Sequence, residues 1–365
     1  MSQKVALIAS VLKPVDDTRL YEKLGQTVAQ TNKYRVNIIG FASKNISAHN
    51  AITFHPIFTF RRLSLVRMLA PWKFLSKLWR LRPHLLIVCT PELLIPAVLF
   101  KIFHGGRLWY DVQENYQLNV RFQKVYNFWW RFLVRLGLLV VHKISRPWID
   151  HYLLAEAGYA REMSFPKGNY TVLANKYQPI DTPHANIPGD ATNFIISGTI
   201  SELSGVRQTI GLMAAFSRLG HQVKLTIIGH IPDPQLEAEL QALNKKPYLQ
   251  IITNGKPLPH SLIMQHLKQA DYGIVAHQPN ASNQNCIPTR IYELMGLRKP
   301  FLLQEHALWE SVAKPYNAAL VMNFNQLQPQ HLWDQLSTQN FYTTTPGEEI
   351  TWASEAPKLL KLLAD

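Results

Sequence analysis

The chain has 365 residues, a formal net charge of +14 and only two cysteines. This length exceeds one ordinary hydrophobic core, so we expect two domains. Cys89 and Cys286 have no ligand-spaced partner and the histidines show no metal spacing, which argues against a disulfide scaffold and a metal cluster. No stretch reaches membrane-spanning length, and residues 5–12 lack the small-residue cleavage site of a signal peptide.

In the first half of the chain, apolar runs alternate with helical patterns. They predict strands at residues 5–10, 36–40, 85–89, 108–112, 152–154 and 171–173, and helices at 19–31, 65–81 and 93–103. Such alternation favours a parallel sheet with helices on both faces. Residues 178–190 then concentrate proline and polar side chains, as a linker between domains does.

The second half repeats this architecture. Strands are predicted at residues 193–197, 223–229, 249–252, 271–276 and 300–303, and helices at 205–219, 234–243, 261–270 and 352–363. We therefore predict an α/β protein with two doubly wound, Rossmann-like parallel-sheet domains. They cover residues 1–177 and 191–350, and residues 351–365 form a terminal helix.

Positive charge is concentrated in the first half. Residues 1–180 hold 25 Lys and Arg against 9 Asp and Glu, whereas the remainder holds 13 against 15. Residues 61–82 and 121–146 contain no acid and interleave basic with aromatic side chains. Such helices are attracted to an anionic membrane surface, which is the partner we expect. Nucleic acid attracts the same charges, and a solvated rim around core aromatics is a third interpretation.

A helix start near Pro288 carries the most specific signal in the chain. Proline suits a first helical turn, and the N–H groups that follow point outward with the positive end of the helix dipole. A diphosphate would bind well there. Glu293 follows at the end of this turn, where its carboxylate could accept hydrogen bonds from ribose hydroxyls. A capped helix with a solvent-facing Glu is the plain alternative.

Two glycines, Gly198 and Gly205, stand in the turn after the first strand of the second half. Glycine permits the close backbone approach that a phosphate needs, although a plain tight turn would explain both residues too. His230 directly follows Gly229 at the end of the next strand. It could hydrogen-bond a phosphate, or it could be an ordinary surface or core histidine.

Acidic residues also follow strands in the first half. Asp111 lies at the end of the strand predicted at residues 108–112 and Glu114 follows it closely, at the edge of a parallel sheet where ligands bind. A helix-capping Asp with a surface Glu is the alternative. Asp17 and Arg19 follow the first strand, and an N-cap would explain the acid there without chemistry.

Resemblance to GT-B glycosyltransferases, most closely to their large family four, is carried by two runs. These are ADYGIV at residues 270–275 and PTRIYELMGLRKPF at residues 288–301. The segment WYDVQEN at residues 109–115 resembles the family's Tyr-Asp-x-His-Glu, with Gln113 in place of His. Asp17 and Arg19 match its Asp-x-Arg opening. The resemblance extends from residue 10 to about residue 303.

The resemblance implies a nucleotide-sugar donor, such as a UDP- or GDP-sugar, on the second domain. A family Glu that contacts the donor sugar, eight residues before the ribose-binding Glu, is Asn285 here. The usual Arg and Lys of the glycine-rich loop are missing, so Arg207 or Arg290 must neutralise the diphosphate, with Lys13 or Arg19 next. The donor-binding residues expected are Gly198, Thr199, Arg207, His230, Asn285, Pro288, Thr289, Arg290 and Glu293.

Family-four members transfer sugar with retention and need no bound metal or other cofactor. The resemblance implies an acceptor on the first domain, near Asp17 and Arg19, and chemistry in the cleft with Asp111 and Glu114 as catalytic candidates. It also implies a terminal helix that packs back on the first domain. Positive charges and helix N–H groups would stabilise the leaving diphosphate.

We therefore expect a cytoplasmic glycosyltransferase, peripheral to the inner face of the membrane, with no specific nucleic-acid partner. Its acceptor would be a glycan or a lipid-linked glycan in cell-surface polysaccharide assembly. A dinucleotide oxidoreductase would need a Gly-x-Gly-x-x-Gly turn, and residues 10–17 contain no glycine. A non-catalytic GT-B-like subunit of a glycosylation complex remains the alternative, because Gln113 and Asn285 depart from the family pattern.

Overall fold

The computed structural model describes residues 3–43, 51–60, 64–122, 128–163, 165, 168–180 and 190–364. These residues form two compact units: unit 1 holds residues 1–175 and 352–365, and unit 2 holds residues 176–351. Several predicted features lie outside the described residues, namely residues 181–189 of the linker predicted at 178–190 and the side chains of Arg61, Arg62, Arg121, Phe122, Lys124, Tyr126, Phe128 and Trp130.

Unit 1 is built on a seven-stranded parallel sheet in the order β3-β2-β1-β4-β5-β6-β7. Its strands are β1 Lys4–Pro14, β2 Tyr34–Phe41, β3 Ile52–Phe58, β4 Leu85–Val88, β5 Arg107–Val112, β6 His151–Leu154 and β7 Tyr170–Val172. The middle residues of the central strands are buried, and in β4 all four residues are apolar and buried. Burial on both faces is what an all-parallel sheet covered by helices requires.

The helices of unit 1 follow the strands in βα alternation. They are α1 Gln26–Gln30, α2 Ala70–Leu81, α3 Leu94–His104, α4 Tyr116–Phe122, α5 Phe128–Ser145 and α6 Tyr159–Glu162. A π-helical segment, Thr18–Gly25, leads into α1, and a 3₁₀ turn, Leu65–Leu69, leads into α2. Asp17 caps the π-helical segment, because its carboxylate accepts from the backbone N–H groups of Arg19 and Leu20.

Unit 2 contains a six-stranded parallel sheet in the order β10-β9-β8-β11-β12-β13. Its strands are β8 Thr192–Thr199, β9 Val223–His230, β10 Leu249–Ile252, β11 Tyr272–Val275, β12 Phe301–Gln304 and β13 Ala319–Met322. Its helices are α7 Val206–Arg218, α8 Pro234–Leu243, α9 His260–Gln269, α10 Thr289–Gly296, α11 Ala307–Ala313 and α12 Pro329–Thr338.

The C-terminal segment belongs to unit 1. A 3₁₀ turn, Trp352–Ser354, precedes the last helix, α13 Ala356–Ala364. Trp352, Leu359 and Leu363 are buried in the core of unit 1, and the indole Nε1 of Trp352 donates to Thr27 Oγ1 at 2.9 Å. The end of the chain therefore completes the hydrophobic core that its first strands begin.

The predicted class, α/β with two doubly wound parallel-sheet domains, is confirmed. Two strands, β3 and β13, were not predicted, and both lie at an edge of their sheet. Edge strands are only half buried, so their apolar pattern is weak, and β3 also contains Pro56, which reads against a strand. An edge position tolerates that proline because fewer backbone N–H groups have to pair.

Candidate functional site

The carboxyl ends of β8 and β11 form the switch point of the unit 2 sheet. β8 is central, with β9 on one side and β11 on the other, so the connections that leave β8 and β11 diverge. Open α/β sheets bind ligands at this place. The two loops are joined here, because the backbone N–H of Gln278 donates to the carbonyl of Leu203 at 2.8 Å.

Glycine is required at three positions around the turn that follows β8. Gly198 has φ +114° and Gly229, beside it on β9, has φ +152°. A Cβ on Gly229 would lie 1.8 Å from the carbonyl oxygen of Gly198, so the close approach of β9 to β8 requires glycine at position 229. Gly205, with φ +73°, would place its Cβ 2.1 Å from the carbonyl oxygen of Ala276. The turn after β8 therefore presents bare backbone next to the loop after β11.

Helix α10 begins beside this turn. Pro288 is its N-cap, and a ψ of 124° keeps it outside the helix, which corrects the first-turn position predicted for it. The carbonyl of Pro288 accepts from Ile291 N at 2.9 Å, so the first N–H groups of the helix belong to Thr289 and Arg290. They carry the positive end of the helix dipole.

Arg290 links the glycine turn to the helix. Its Nη2 lies 3.5 Å from the position that a Cβ would take on Gly198, and its Nη1 forms an ion pair with Glu293 Oε2. The Arg290 side chain is only 12% exposed. A guanidinium held against a glycine turn and a helix N-terminus is a strong anion-binding group, because it supplies a fixed positive charge in a partly dry site.

Glu293 is buried rather than solvent-facing, since its side chain is 7% exposed. Besides the ion pair with Arg290, its Oε1 lies 2.9 Å from Nε2 of His260, the first residue of α9. The carboxylate is therefore oriented from two sides. A carboxylate with a fixed orientation can recognise the paired hydroxyls of a ribose more selectively than a mobile one.

His277 is the second residue after β11 and lies close enough to Arg290 for the positive charge of Arg290 to act on it. Burial, with a further contribution from the positive charge of Arg290, lowers the pKa of His277 from 6.5 to about 4. Its ring packs edge-on against Trp309, with the ring centroids 6.4 Å apart. At neutral pH this imidazole is uncharged, so it can donate or accept a hydrogen bond without adding charge to the site.

Other predicted donor-site residues are placed differently. Arg207 is exposed and bonds to two surface carboxylates, Glu202 at 2.9 Å and Glu239 at 2.6 Å. Asn285 is exposed in the loop between β11 and α10. Thr199 and His230 end neighbouring strands, with Thr199 paired to His230 in the parallel register. Arg290, rather than Arg207, thus stands at the switch point.

In unit 1, Arg19 and Asp111 form a buried ion pair. Arg19 Nε donates to Asp111 Oδ2 at 2.9 Å and Nη2 donates to Oδ1 at 2.6 Å, while both side chains are almost fully buried. Arg19 Nη1 also donates to the carbonyl of Leu173, and Gln113 Nε2 donates to Asp111 Oδ2 at 2.8 Å. Burial opposes the charge on Arg19, but Asp111 outweighs it and raises the pKa of the guanidinium.

This geometry separates the two acids predicted as catalytic. The Asp111 carboxylate is 0% exposed and is used by Arg19 and Gln113, whereas Glu114 is exposed and accepts from Asn119 Nδ2 at 2.9 Å. Asp17, predicted on the acceptor side, caps a helix and lies 3.5 Å from Lys13. Catalytic and acceptor-binding roles for these residues stay predictions.

His260 and His277 were missed by sequence reasoning for different reasons. His260 reaches Glu293 from 33 residues away, and no local pattern signals such a contact. His277 could have been suspected, because it directly follows the buried run at residues 273–276, in which β11 ends.

Within the described ranges, no three His, Cys, Asp or Glu side chains cluster as metal ligands. In the same part of the chain, no helix is long and apolar enough to cross a membrane.

Two doubly wound parallel sheets define the GT-B class of fold. No protein-family model matches the chain, and no curated protein matches its sequence. Solved structures do match. Sucrose-phosphate synthase from Thermosynechococcus elongatus has a TM-score of 0.71 at 13% identity, covering 99% of this chain and 98% of that one.

Two further similar structures contain a nucleoside diphosphate. The catalytic domain of starch synthase IV from Arabidopsis thaliana, bound to ADP and acarbose, has a TM-score of 0.61 at 11% identity and covers 99% of both chains. HepE from Anabaena, in complex with UDP, has a TM-score of 0.61 at 13% identity, covering 99% of this chain and 100% of that one. At these identities the similarity establishes the GT-B fold, and assignment to family four stays a prediction.

Proposed function

We propose that this chain is a glycosyltransferase that holds a nucleotide-sugar donor at the switch point of unit 2. The observation that carries the proposal is the position of Arg290. This residue lies at the N-terminus of α10, and its guanidinium lies over Gly198. A glycine turn, helix N–H groups and a fixed guanidinium together suit a diphosphate. Similar structures bound to ADP and to UDP support a nucleoside diphosphate as the ligand class.

Each donor contact has a proposed residue. The diphosphate binds the N–H groups of Thr289 and Arg290 and the Arg290 guanidinium, with the bare backbone of Gly198 beneath it. Glu293 accepts hydrogen bonds from the ribose hydroxyls, and His260 holds its carboxylate in a fixed orientation for this contact. The uncharged His277 lies next to Arg290 and can bond to the donor without competing for the negative charge.

The proposed transfer proceeds with retention and without a bound metal ion. When the sugar–phosphate bond breaks, negative charge develops on the diphosphate, and Arg290 and the start of α10 stabilise it. In unit 1, the exposed Glu114 is proposed to contact the acceptor. The buried pair of Asp111 and Arg19 is proposed to hold the loops after β5 and β1 in place.

The finer features of the reaction are also proposals. The acceptor is a glycan or a lipid-linked glycan, and the reaction contributes to cell-surface polysaccharide assembly. The protein would act in the cytoplasm at the inner face of the membrane, and the basic character of its first 180 residues supports this location.

Calorimetry with a matched pair of arginine variants tests the donor site. Arg290→Met should weaken binding of UDP, ADP or GDP, whichever binds the wild-type chain, roughly 10- to 100-fold, because a charge-assisted contact to the diphosphate is lost. Binding of the nucleoside should change little. Arg207→Met is the control, since Arg207 already bonds to Glu202 and Glu239. Equal losses of diphosphate affinity in the two variants would contradict the proposed diphosphate site at Arg290.

Activity is tested separately, with the nucleotide-sugar whose diphosphate binds best. Release of nucleoside diphosphate by the wild-type chain, slowed in Arg290→Met, is the expected result. Binding of the nucleotide-sugar without any hydrolysis or transfer would overturn the proposed glycosyltransferase activity. It would favour the alternative, a non-catalytic subunit of a glycosylation complex.

A further inference from the structure

Three helices of unit 1 adjoin one another and contain no acidic residue. α3 packs against both α2 and α5, and neither these helices nor the turn at Leu65–Leu69 includes an Asp or Glu. Trp79 of α2 packs against His104 of α3, with their ring centroids 4.1 Å apart. The outward side of these helices, called here the three-helix surface, is therefore one continuous region.

Large apolar side chains are exposed on this surface. Met68, Trp72, Phe103 and Trp129 are each 70% or more exposed. On α5 the exposed apolar residues recur at helical spacing, beginning with Trp129, Phe132, Leu133 and Leu136. A soluble monomer rarely exposes apolar residues in such a contiguous group, so the surface marks a binding site.

We propose that the three-helix surface inserts into the headgroup region of an anionic membrane. Exposed basic residues accompany the apolar ones on both outer helices, with Lys73 and Arg80 on α2 and Arg135 and Lys143 on α5. Basic side chains bind anionic headgroups while Trp, Phe and Leu enter the boundary with the acyl chains. The proposal deepens the location proposed above and does not depend on the donor site in unit 2.

Charge and composition favour a membrane over two other partners. A second copy of the chain would bring the same acid-free, basic surface against itself, and like charges repel at a shared interface. Nucleic acid would satisfy the lysines and arginines, but it offers nothing apolar along a helix to cover Leu133, Leu136 and Phe132. The bilayer boundary accepts both kinds of side chain.

The structure adds α3 to what the sequence predicted. Only residues 61–82 and 121–146 are both basic and aromatic-rich in sequence, whereas α3 carries a single lysine, Lys101. Lys101 is engaged with Asp150, so the outward contribution of α3 is apolar, with Phe103 71% exposed and Ile102 48% exposed. α3 thus supplies an apolar centre between two basic helices.

Vesicle cosedimentation of the full chain tests the proposal. Vesicles of phosphatidylglycerol with phosphatidylcholine should sediment the wild-type chain, and phosphatidylcholine alone should sediment at least tenfold less. Raising the salt from 0.1 M to 1 M should release it, because the Debye length falls from about 10 Å to about 3 Å. Equal sedimentation with both vesicles, or none with either, would overturn the proposal.

Point variants locate the surface. Phe103→Asp on α3, and Trp129→Asp with Leu133→Asp on α5, should each reduce vesicle binding at least tenfold. Leu243→Asp is the control, because Leu243 is an exposed leucine at the end of α8 in unit 2. Phe103→Gln and Trp129→Gln repeat the test without adding charge. A Leu243→Asp loss equal to the others would contradict this location.

Two further measurements separate this proposal from its rivals. Brominated lipids should quench the wild-type fluorescence, and Trp72→Phe with Trp129→Phe should remove most of that quenching. All surface variants should retain wild-type circular dichroism and diphosphate binding, so loss of membrane binding is distinguishable from failure of the donor site. Random duplex DNA that competes fully with anionic vesicles, or a dimer that the Phe103 variant abolishes, would refute the membrane assignment.

Discussion

Arg290 and Glu293 lie one turn apart on α10 and form an ion pair in which the guanidinium also covers Gly198. The pair couples the two halves of the proposed donor site, because the residue that would bind the diphosphate is held by the residue that would bind the ribose. Glu293 can therefore act in two ways, by contacting the ribose itself or by positioning Arg290. The two roles predict different ligand dependences.

Replacement of Glu293 separates these roles. Glu293→Ala should weaken binding of the nucleoside diphosphate that the wild-type chain binds by about 1.5–3 kcal/mol, the range for a hydrogen bond to a charged group. A ribose contact predicts an equal loss for the diphosphate and its nucleoside, whereas a positioning role predicts a loss for the diphosphate alone. Isothermal titration calorimetry with both ligands distinguishes the two, and unchanged affinity for both would exclude Glu293 from the site. His260→Ala, which removes the second partner of the carboxylate, should give a smaller loss of the same kind.

Two glycines of unit 2 should respond in opposite directions to alanine. Gly205→Ala forces a φ of +73° on a side chain and places its Cβ 2.1 Å from the Ala276 carbonyl oxygen. The conformation alone costs about 1–3 kcal/mol, and the contact adds to it. Gly211 is an exposed residue inside α7, and a Cβ added there would meet nothing within 4 Å. Gly211→Ala should therefore stabilise the chain by about 0.5–1 kcal/mol.

Urea denaturation measures both glycine effects. The Gly205 variant should also lose diphosphate binding, because the loops after β8 and β11 would separate. A Gly205→Ala variant as stable as the Gly211 variant would show that the close approach of the two loops is not required.

Sequence patterns predicted the sheets of this protein better than its site. A buried parallel strand is continuously apolar, so β4, β8 and β9 stand out, whereas the half-buried edges β3 and β13 do not. Glu293 and Arg290 could be recognised because they lie in one local run. His260 could not be recognised, since its contact with Glu293 depends on how α9 packs beside α10. The sequence also could not choose between Arg207 and Arg290, because only the structure shows that Arg207 is bound to surface carboxylates.

The buried ion pair of unit 1 makes a stability prediction. Asp111→Asn leaves the Arg19 guanidinium charged in a buried site without its partner, which should cost about 3–5 kcal/mol. Glu239→Gln removes a carboxylate from the exposed pair with Arg207 and should cost less than about 1 kcal/mol. Chemical denaturation of both variants provides the comparison. A small loss for Asp111→Asn would contradict the structural role proposed for this buried pair.

His277 should make unit 2 less stable in acid. Its pKa is about 4 in the folded chain against 6.5 for an unperturbed histidine, because burial and the charge of Arg290 disfavour the protonated ring. Between these values the unfolded chain binds a proton that the folded chain does not, so stability falls as the pH falls. The contribution is fully present above pH 6.5 and is lost progressively towards pH 4, up to about 3 kcal/mol at 1.36 kcal/mol per pKa unit.

The pH dependence is measured as a difference between variants, because other histidines also titrate in this range. The free energy of unfolding of the wild-type chain, less that of His277→Gln, should decline as the pH falls from 6.5 to 4. Gly211→Ala, which removes no titratable group, is the control, and the same difference measured for it should not change with pH in this range. A flat difference between pH 6.5 and 4 would mean that His277 titrates as an ordinary histidine, and it would remove His277 from the proposed donor contacts.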